Sequence, residues 1–433
     1  MILIHTHKYK VMDRQIALEI LMKYKQEKSY LNLTINTYFE RLSLSKESKN
    51  LITQLVYGTV QNQIYLEYML KPFIKRRVKA FEKMLLLMSL YQHYFLNNIP
   101  DYAIVNEAVN LSKKKKGMKT SQFINAVLKN AFQNKVSLDD LEDIEKLSVE
   151  TSHPLWLVKM FHKQYGYEKT KKICYANNEI PYKSARINTL KCTKQDILKN
   201  SLFQEGKLSQ DCVYYNGGNI AHTDEFKKGL ITIQDESSQL VARLLEPTSQ
   251  DYVLDMCCAP GSKTSHLAMI MHNKGQIVAY DLYDHKIQLV ERQMARLGVD
   301  IVECHAYDST HLIDLYSDQT FDKILLDAPC SGLGVLARKP EIKYHDSDIM
   351  DEIIKIQEKL LENAYVLLKN GGNMVYSTCT INKKENEKQI QAFIKRHSDM
   401  MILQEQTILP YEYHSDGFYM CLLKKEFSNE IDL

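Results

Sequence analysis

From about residue 229 onward the chain alternates between short apolar runs and amphipathic stretches, and this alternation restricts the possible fold more than any other feature. Strand candidates are 252–258, 276–281, 301–304, 321–327, 373–377 and 417–423; helical patterns such as 264–272, 285–297 and 349–368 lie between them. Strands joined through helices must run parallel, so this segment is expected to form a doubly wound sheet. Ligands on such sheets bind beyond the carboxyl ends of the strands, where the strand order reverses. Chemistry is therefore sought at the strand ends.

The first strand ends in Asp255-Met256-Cys257-Cys258-Ala259-Pro260-Gly261-Ser262-Lys263-Thr264 and leads into a helix whose free N–H groups suit an anion or carboxylate. The turn is neither a dinucleotide fingerprint nor a P-loop. Cys257 and Ser262 stand where the P-loop pattern needs its two glycines, so a pyrophosphate could not be wrapped closely. A nucleoside cofactor without phosphates fits better. Asp281, 20 residues beyond Gly261, ends the second strand and suits the ribose hydroxyls, although a lone Asp there also serves as a helix cap. Asp308, after the third strand, could accept from an adenine amino group or simply make a turn.

The fourth strand ends in Asp327-Ala328-Pro329-Cys330-Ser331-Gly332 and the fifth in Tyr376-Ser377-Thr378-Cys379-Thr380. A buried cysteine is ordinarily a small hydrophobe, which is the expectation for Cys174, Cys192, Cys212, Cys257, Cys258, Cys304 and Cys421. Cysteines at two neighbouring strand exits, beside a nucleoside pocket, suit methylation of carbon 5 of a cytosine. A thiolate adding at C6 makes C5 enamine-like, so that it takes a methyl group from a sulfonium donor; loss of the C5 proton then expels the thiol. A thiol is only a few per cent ionised at pH 7, so the site should favour the thiolate by about 1–2 kcal/mol. Lys263 and the helix N-terminus could supply positive potential, and Asp327 could hydrogen-bond the cytosine edge. The chemistry alone leaves open whether Cys330 or Cys379 is the nucleophile.

The front of the chain reads differently. Apolar residues at helical spacing predict an all-α domain over residues 1–135, with Asp13 capping an early helix and a helix through Phe81, Met84, Leu85 and Met88 at its centre. Residues 136–228 are expected to hold an acidic linker and a small α+β module, and 229–433 the catalytic domain. Residues 1–150 carry 23 Lys+Arg against 15 Asp+Glu, whereas the remainder is mildly acidic. A basic front suits a polyanion. Lys71, Lys75, Arg76, Arg77, Lys79, the run Lys113, Lys114, Lys115, Lys116, and Arg338, Lys339 and Lys343 are the candidate contacts, though the run also suits a solvated inter-helix loop. No C-x-x-C pair or His-rich cluster offers a metal site, no apolar run reaches the ~18 residues a membrane span needs, and Met1–His5 lacks a leader's features. A cytoplasmic protein without bound metal is expected.

The strand-end motifs, in this order, resemble the RNA (cytosine-5) methyltransferase superfamily: the loop 257–263, Asp-Ala-Pro-Cys at 327–330 and Thr-Cys at 378–379. Leu55-Val56-Tyr57-Gly58, Tyr91-Gln92, Val105-Asn106-Glu107 and Phe123-Ile124-Asn125-Ala126-Val127-Leu128 resemble the NusB-type helical domain, and 234–240 the start of the catalytic domain. A NusB-like front on such a back is the layout of the bacterial RsmB/Sun family of 16S rRNA methyltransferases. The resemblance implies a Rossmann-like, class I catalytic domain that uses S-adenosylmethionine. It implies Cys379 as nucleophile, Cys330 as the aid to product release, and a cofactor pocket made of Cys257, Cys258, Ala259, Pro260, Gly261, Ser262, Lys263, Asp281, Asp308 and Asp327. Cys258 and Ser262 replace a usual Ala and Gly, Tyr344 a usual Trp, and Thr380 a usual Ser. The expected substrate is 16S rRNA, naked or partly assembled, because the target base must be unstacked, and the expected state is a monomer. An inactive RNA-binding assembly or antitermination factor, or an enzyme acting on another RNA such as tRNA, are the alternatives. A nicotinamide dehydrogenase is the weakest option, given the missing glycines.

Overall fold

The structure, a computed structural model, describes residues 2–27 and 30–427, the first ten by backbone alone. It divides into two compact units: Met1–Asn178 together with Lys339–Tyr344, and Glu179–Arg338 together with His345–Leu433.

The first unit is helical. Helices α1 (Ile2–Glu27), α2 (Leu31–Arg41), α3 (Lys46–Gln61), α4 (Gln63–Leu70), α5 (Ala80–Phe95), α6 (Asp101–Lys116) and α7 (Met118–Gln133) build one apolar core. Helices α8 (Asp143–Glu150), α9 (Leu155–Tyr165) and α10 (Tyr167–Ala176) follow. Residues 84–92 of α5 are all buried, as an apolar pattern on every face requires of a central helix. The few polar groups there are answered internally: Ser89 donates to Leu85 O, and Gln92 accepts from Arg14 Nε at 2.8 Å. Gly58 of α3 lets Tyr91 of α5 lie directly on the helix, because a Cβ at residue 58 would sit 1.9 Å from the ring.

Three expectations differ from what is observed. Asp13 caps nothing; α1 already runs through it, and its side chain is buried. Lys113–Lys116 are not a loop but the exposed last turn of α6, where cations complement the helix C-terminus and Gly117 ends the helix. The acidic stretch after residue 133, expected to be a linker, contains α8, and the division between units falls at residue 178, within the segment 136–228 expected to hold that linker and a small α+β module.

Segment Lys339–Tyr344 belongs to this helical unit. Leu31 N donates to Glu341 Oε1, Tyr344 Oη donates to Val60 O at 2.8 Å, and Lys343 Nζ donates to Asn178 Oδ1 at 2.7 Å. Lys343 is wholly buried, so it cannot serve as the phosphate contact that its charge suggested. Loss of hydration disfavours its ammonium and brings its pKa down to about 7.

In the second unit, β1 (Ser184–Ile187), β2 (Phe203–Glu205), β3 (Cys212–Tyr215) and β4 (Ile231–Ile233) form a small antiparallel sheet of order β2-β3-β1-β4, with short helices α11 (Lys194–Leu198) and α12 (Asp224–Lys227). After α13 (Glu236–Leu245) comes the large sheet: β5 (Tyr252–Asp255), α14 (Ser262–Ile270), β6 (Gln276–Asp281), α15 (Asp284–Leu297), β7 (Val302–Ala306), β8 (Phe321–Asp327), α16 (Asp348–Leu367) and β9 (Leu368–Thr378). It is completed by α17 (Glu387–Arg396), β10 (Met400–Ile408), α18 (Pro410–Tyr413) and β11 (Phe418–Lys425). The order is β10-β11-β9-β8-β5-β6-β7. The strands β7-β6-β5-β8-β9 are parallel, as expected, but β11 lies antiparallel to β9 and β10 antiparallel to β11, so the sheet is mixed. Strand β10 is a largely exposed edge without apolar alternation, which is why its sequence gave no strand signal. The order reverses between β5 and β8, which puts their carboxyl ends at the switch point.

The unfolded chain keeps the Lys343 proton to about pH 10.4, whereas the folded chain releases it near 7. Unfolding therefore takes up a proton between those values, and stability should rise with pH across that window, by at most ~1.4 kcal/mol per unit. Between pH 7 and 9 the thermal midpoint of the parent protein should climb relative to that of Lys343→Met. Parallel pH profiles would show that this amine is not titrating.

Candidate active site

The loop between β5 and α14 is shaped by backbone contacts to the neighbouring strands. Met256 N donates to Leu325 O and Cys258 N to Tyr280 O, at 3.0 and 2.8 Å. Gly261 closes it as the N-cap of α14 at φ 94°, where a Cβ would also meet Met294 Cε at 2.9 Å. Both the left-handed backbone and the close approach of α15 demand glycine there. Ser262 begins the helix without disturbing this turn; its carbonyl accepts from the buried guanidinium of Arg186, on β1 of the small sheet. Arg186 also donates to Gln234 and to Ser265 Oγ, and burial lowers its pKa to about 9. Behind α14, buried His266 meets Asp211, which also pairs with Arg243. The small sheet thus braces the start of α14, a role the residues of 184–188 gave no sign of.

The carboxylates lie at successive strand tips. Asp255 accepts from Thr264 Oγ1 at 2.7 Å, and burial raises its pKa to about 7. Asp281 is nearly buried; it accepts from Ala259 N and pairs with Lys286 at 3.1 Å. Asp308 spends Oδ1 on the N–H and hydroxyl of Thr310, so it is a turn residue whatever else it does. Lys263 Nζ pairs with Asp327 Oδ2 at 2.6 Å, and Asp327 Oδ1 accepts from Ser377 Oγ at 2.8 Å. Lys263 and Lys286 are thus both engaged by carboxylates, and burial pushes the thiols of Cys257 and Cys258 upward, keeping them protonated. This donor set offers carboxylate acceptors and a helix N-terminus but no basic cluster for a pyrophosphate. These groups are compatible with a nucleoside cofactor bearing a carboxylate.

Beside it, the registered strands β8 and β9 deliver the two cysteines. Asp327 pairs with Ser377, and the chains leaving these residues bring Cys330 Sγ and Cys379 Sγ to 3.3 Å. The hydrogen bond to Cys379, reinforced by burial, pushes the Cys330 thiol well above its ordinary range.

The basic candidates fare unevenly. Lys71, Lys75, Arg77 and Lys79 are exposed before α5, and Lys113–Lys116 are exposed at the end of α6, with Lys116 Nζ 5.6 Å from the Phe81 ring. Arg76 pairs with Glu82 and lies 3.7 Å over the Phe123 ring. Arg338 bridges Asp235 and Asp416 at 2.8 Å each and donates to Tyr182 O, tying the loop after Cys330 to the rest of its unit.

A mixed sheet of this order, with a glycine-capped loop at its switch point and paired cysteines beside it, defines a Rossmann-like methyltransferase unit. Residues 242–424 match the family 16S rRNA methyltransferase RsmB/F, 12–133 the NusB family, and 153–215 the ferredoxin-like domain of RsmF/B-like methyltransferases. The probable ribosomal RNA small subunit methyltransferase B of Bacillus subtilis (strain 168) is 39% identical over 440 residues, covering 95% of this chain and 98% of that protein. Its counterpart from Synechocystis sp. (strain ATCC 27184 / PCC 6803 / Kazusa) is 30% identical, covering 95% and 99%. The crystal structure of PH0851 shares the fold at a TM-score of 0.81 and 22% identity, covering 95% of this chain and 99% of that one. The chain belongs to the RsmB/F family of 16S rRNA methyltransferases.

Because Gly261 answers to both backbone and packing, Gly261→Ala should lower stability by about 1–3 kcal/mol, seen as a lowered thermal midpoint. An unchanged midpoint would contradict the turn described.

Proposed function

We propose that this protein transfers a methyl group from S-adenosylmethionine to carbon 5 of a cytosine in 16S rRNA, through a covalent bond between Cys379 and C6 that is resolved with help from Cys330. The observation that carries this reading is the 3.3 Å approach of the two sulfurs at the exits of adjacent strands. The cofactor supplies an electrophilic methyl on a sulfonium. Asp281 would hold its ribose, and the loop 257–263 with the N-terminus of α14 its remaining polar groups; Asp308 keeps one oxygen for the base.

The Thr378-Cys379 motif, by its resemblance to the family's Thr-Cys, assigns Cys379 as the group that adds to C6, and leaves Cys330, 3.3 Å away, to aid release. The hydrogen bond to Cys379 and burial raise the Cys330 thiol. Asp327, oriented by Lys263 and Ser377, would face the edge of the cytosine. Removal of the C5 proton re-forms the C5=C6 bond and returns the C6–S electron pair to Cys379. An inactive binding factor would have no use for this sulfur geometry. The exposed Lys71, Lys75, Arg77, Lys79 and Lys113–Lys116 would contact phosphates of naked or partly assembled small-subunit RNA; the enzyme would act in the cytoplasm as a monomer.

With labelled S-adenosylmethionine and naked 16S rRNA, Cys379→Ala should abolish methyl transfer, and Cys330→Ala should accumulate a protein–RNA adduct on a denaturing gel. The reverse pattern would make Cys330 the nucleophile, and no transfer by the parent to any RNA would favour the binding factor. Asp281→Ala should weaken S-adenosylmethionine by about 10–100-fold in calorimetric titration. Unchanged affinity would remove Asp281 from the pocket.

A further inference from the structure

Glu385 has no part in the scheme above, yet it is fully buried between the loops that carry the two sulfurs. Its Oε2 accepts from Ser331 N at 2.8 Å and from Gln357 Nε2 at 3.3 Å; its Oε1 accepts from Ser331 Oγ at 2.6 Å and Asn382 Nδ2 at 2.9 Å. Ser331 follows Cys330 directly. Its hydroxyl also lies 2.9 Å from that of Thr380, which follows Cys379. Gln357 donates as well to Pro329 O, the residue before Cys330, at 2.8 Å. Nearly every contact of this carboxylate therefore leads to a residue beside one of the two sulfurs.

These four donors are all neutral groups. An ionised carboxylate withdrawn from water costs several kcal/mol unless donors replace the lost hydration. Here four do. An amide could not substitute, because its NH2 would face the N–H of Ser331 and Gln357 on one side or the NH2 of Asn382 on the other. Only a carboxylate accepts on both oxygens, so the arrangement is specific for the charge.

We propose that Glu385 is a positioning residue for the release half of the reaction: by gripping Ser331 through both its backbone N–H and its hydroxyl, it holds the Cys330 sulfur in contact with Cys379. This rests on the reading in which Cys379 forms the adduct and Cys330 resolves it. Proximity of negative charge also contributes to the raised thiol of Cys330. Addition of Cys379 and methyl transfer do not need the grip, whereas departure of the product does.

The test compares the parent with Glu385→Gln, Ser331→Ala and Cys330→Ala in single turnovers, using labelled S-adenosylmethionine and naked 16S rRNA. Methyl transfer and decay of the covalent protein–RNA band are followed separately, with a thermal melt on each variant. Glu385→Gln should transfer its first methyl at close to the parental rate yet release RNA about 10–100-fold more slowly, leaving a persistent adduct. Ser331→Ala keeps the buried charge and the backbone contact, so it should slow release less; it carries the test if Glu385→Gln melts early. Adduct decay at the parental rate in both variants would overturn the proposal, as would equal losses in transfer and release. If Cys330→Ala itself traps no adduct, the two-cysteine reading falls and the role of Glu385 falls with it. If Cys330→Ala traps the adduct while the other two release normally, only the role of Glu385 falls.

Discussion

The contact on which the site depends is the carboxylate of Asp327, gripped by Lys263 on one oxygen and by Ser377 on the other. Three strand exits meet in it: the loop after β5, the tip of β8 and the tip of β9. Both charges are mostly shielded from water, so neither partner has a good alternative to the other. The pairing fixes where α14 begins relative to the cysteine-bearing strands. The loop after β5 and the pair of sulfurs are joined because a single ion pair spans them.

Around this contact the unit is layered by function. The small antiparallel sheet reaches under α14 with Arg186 and Asp211, so the loop rests on a buried polar floor instead of on solvent. Arg338, held between Asp235 and Asp416, anchors the chain as it leaves the Cys330 loop. Both arginines use planar, multiply bonded guanidinium groups where a lysine would provide a single point of attachment.

Much of this was legible in the sequence because strand tips are marked by local signals. An apolar run stops, and the residues that follow gather at one end of the sheet; Cys330, Cys379, Lys263, Asp281 and Asp327 were all singled out in that way. Glu385 and Arg186 were not. Each acts through partners distant in the chain or buried by tertiary packing, and a Glu among lysines or an Arg in a short strand looks like surface until the fold buries it. Lys343 misled for the same reason, since a cation on a loop after a strand-end motif suggests a ligand while the structure gives it internal partners; Arg338 likewise has internal partners that its sequence position did not suggest. The edge strand β10 escaped because exposure removes the alternation that identifies strands.

The six residues Lys339–Tyr344 belong to the helical unit although the chain on either side of them belongs to the other. The polypeptide therefore passes from one unit to the other three times. No single cut yields two complete halves: a fragment starting at Glu179 would carry Ile342 and Tyr344 without the helices that bury them, and a fragment ending at Asn178 would lack part of its own interior.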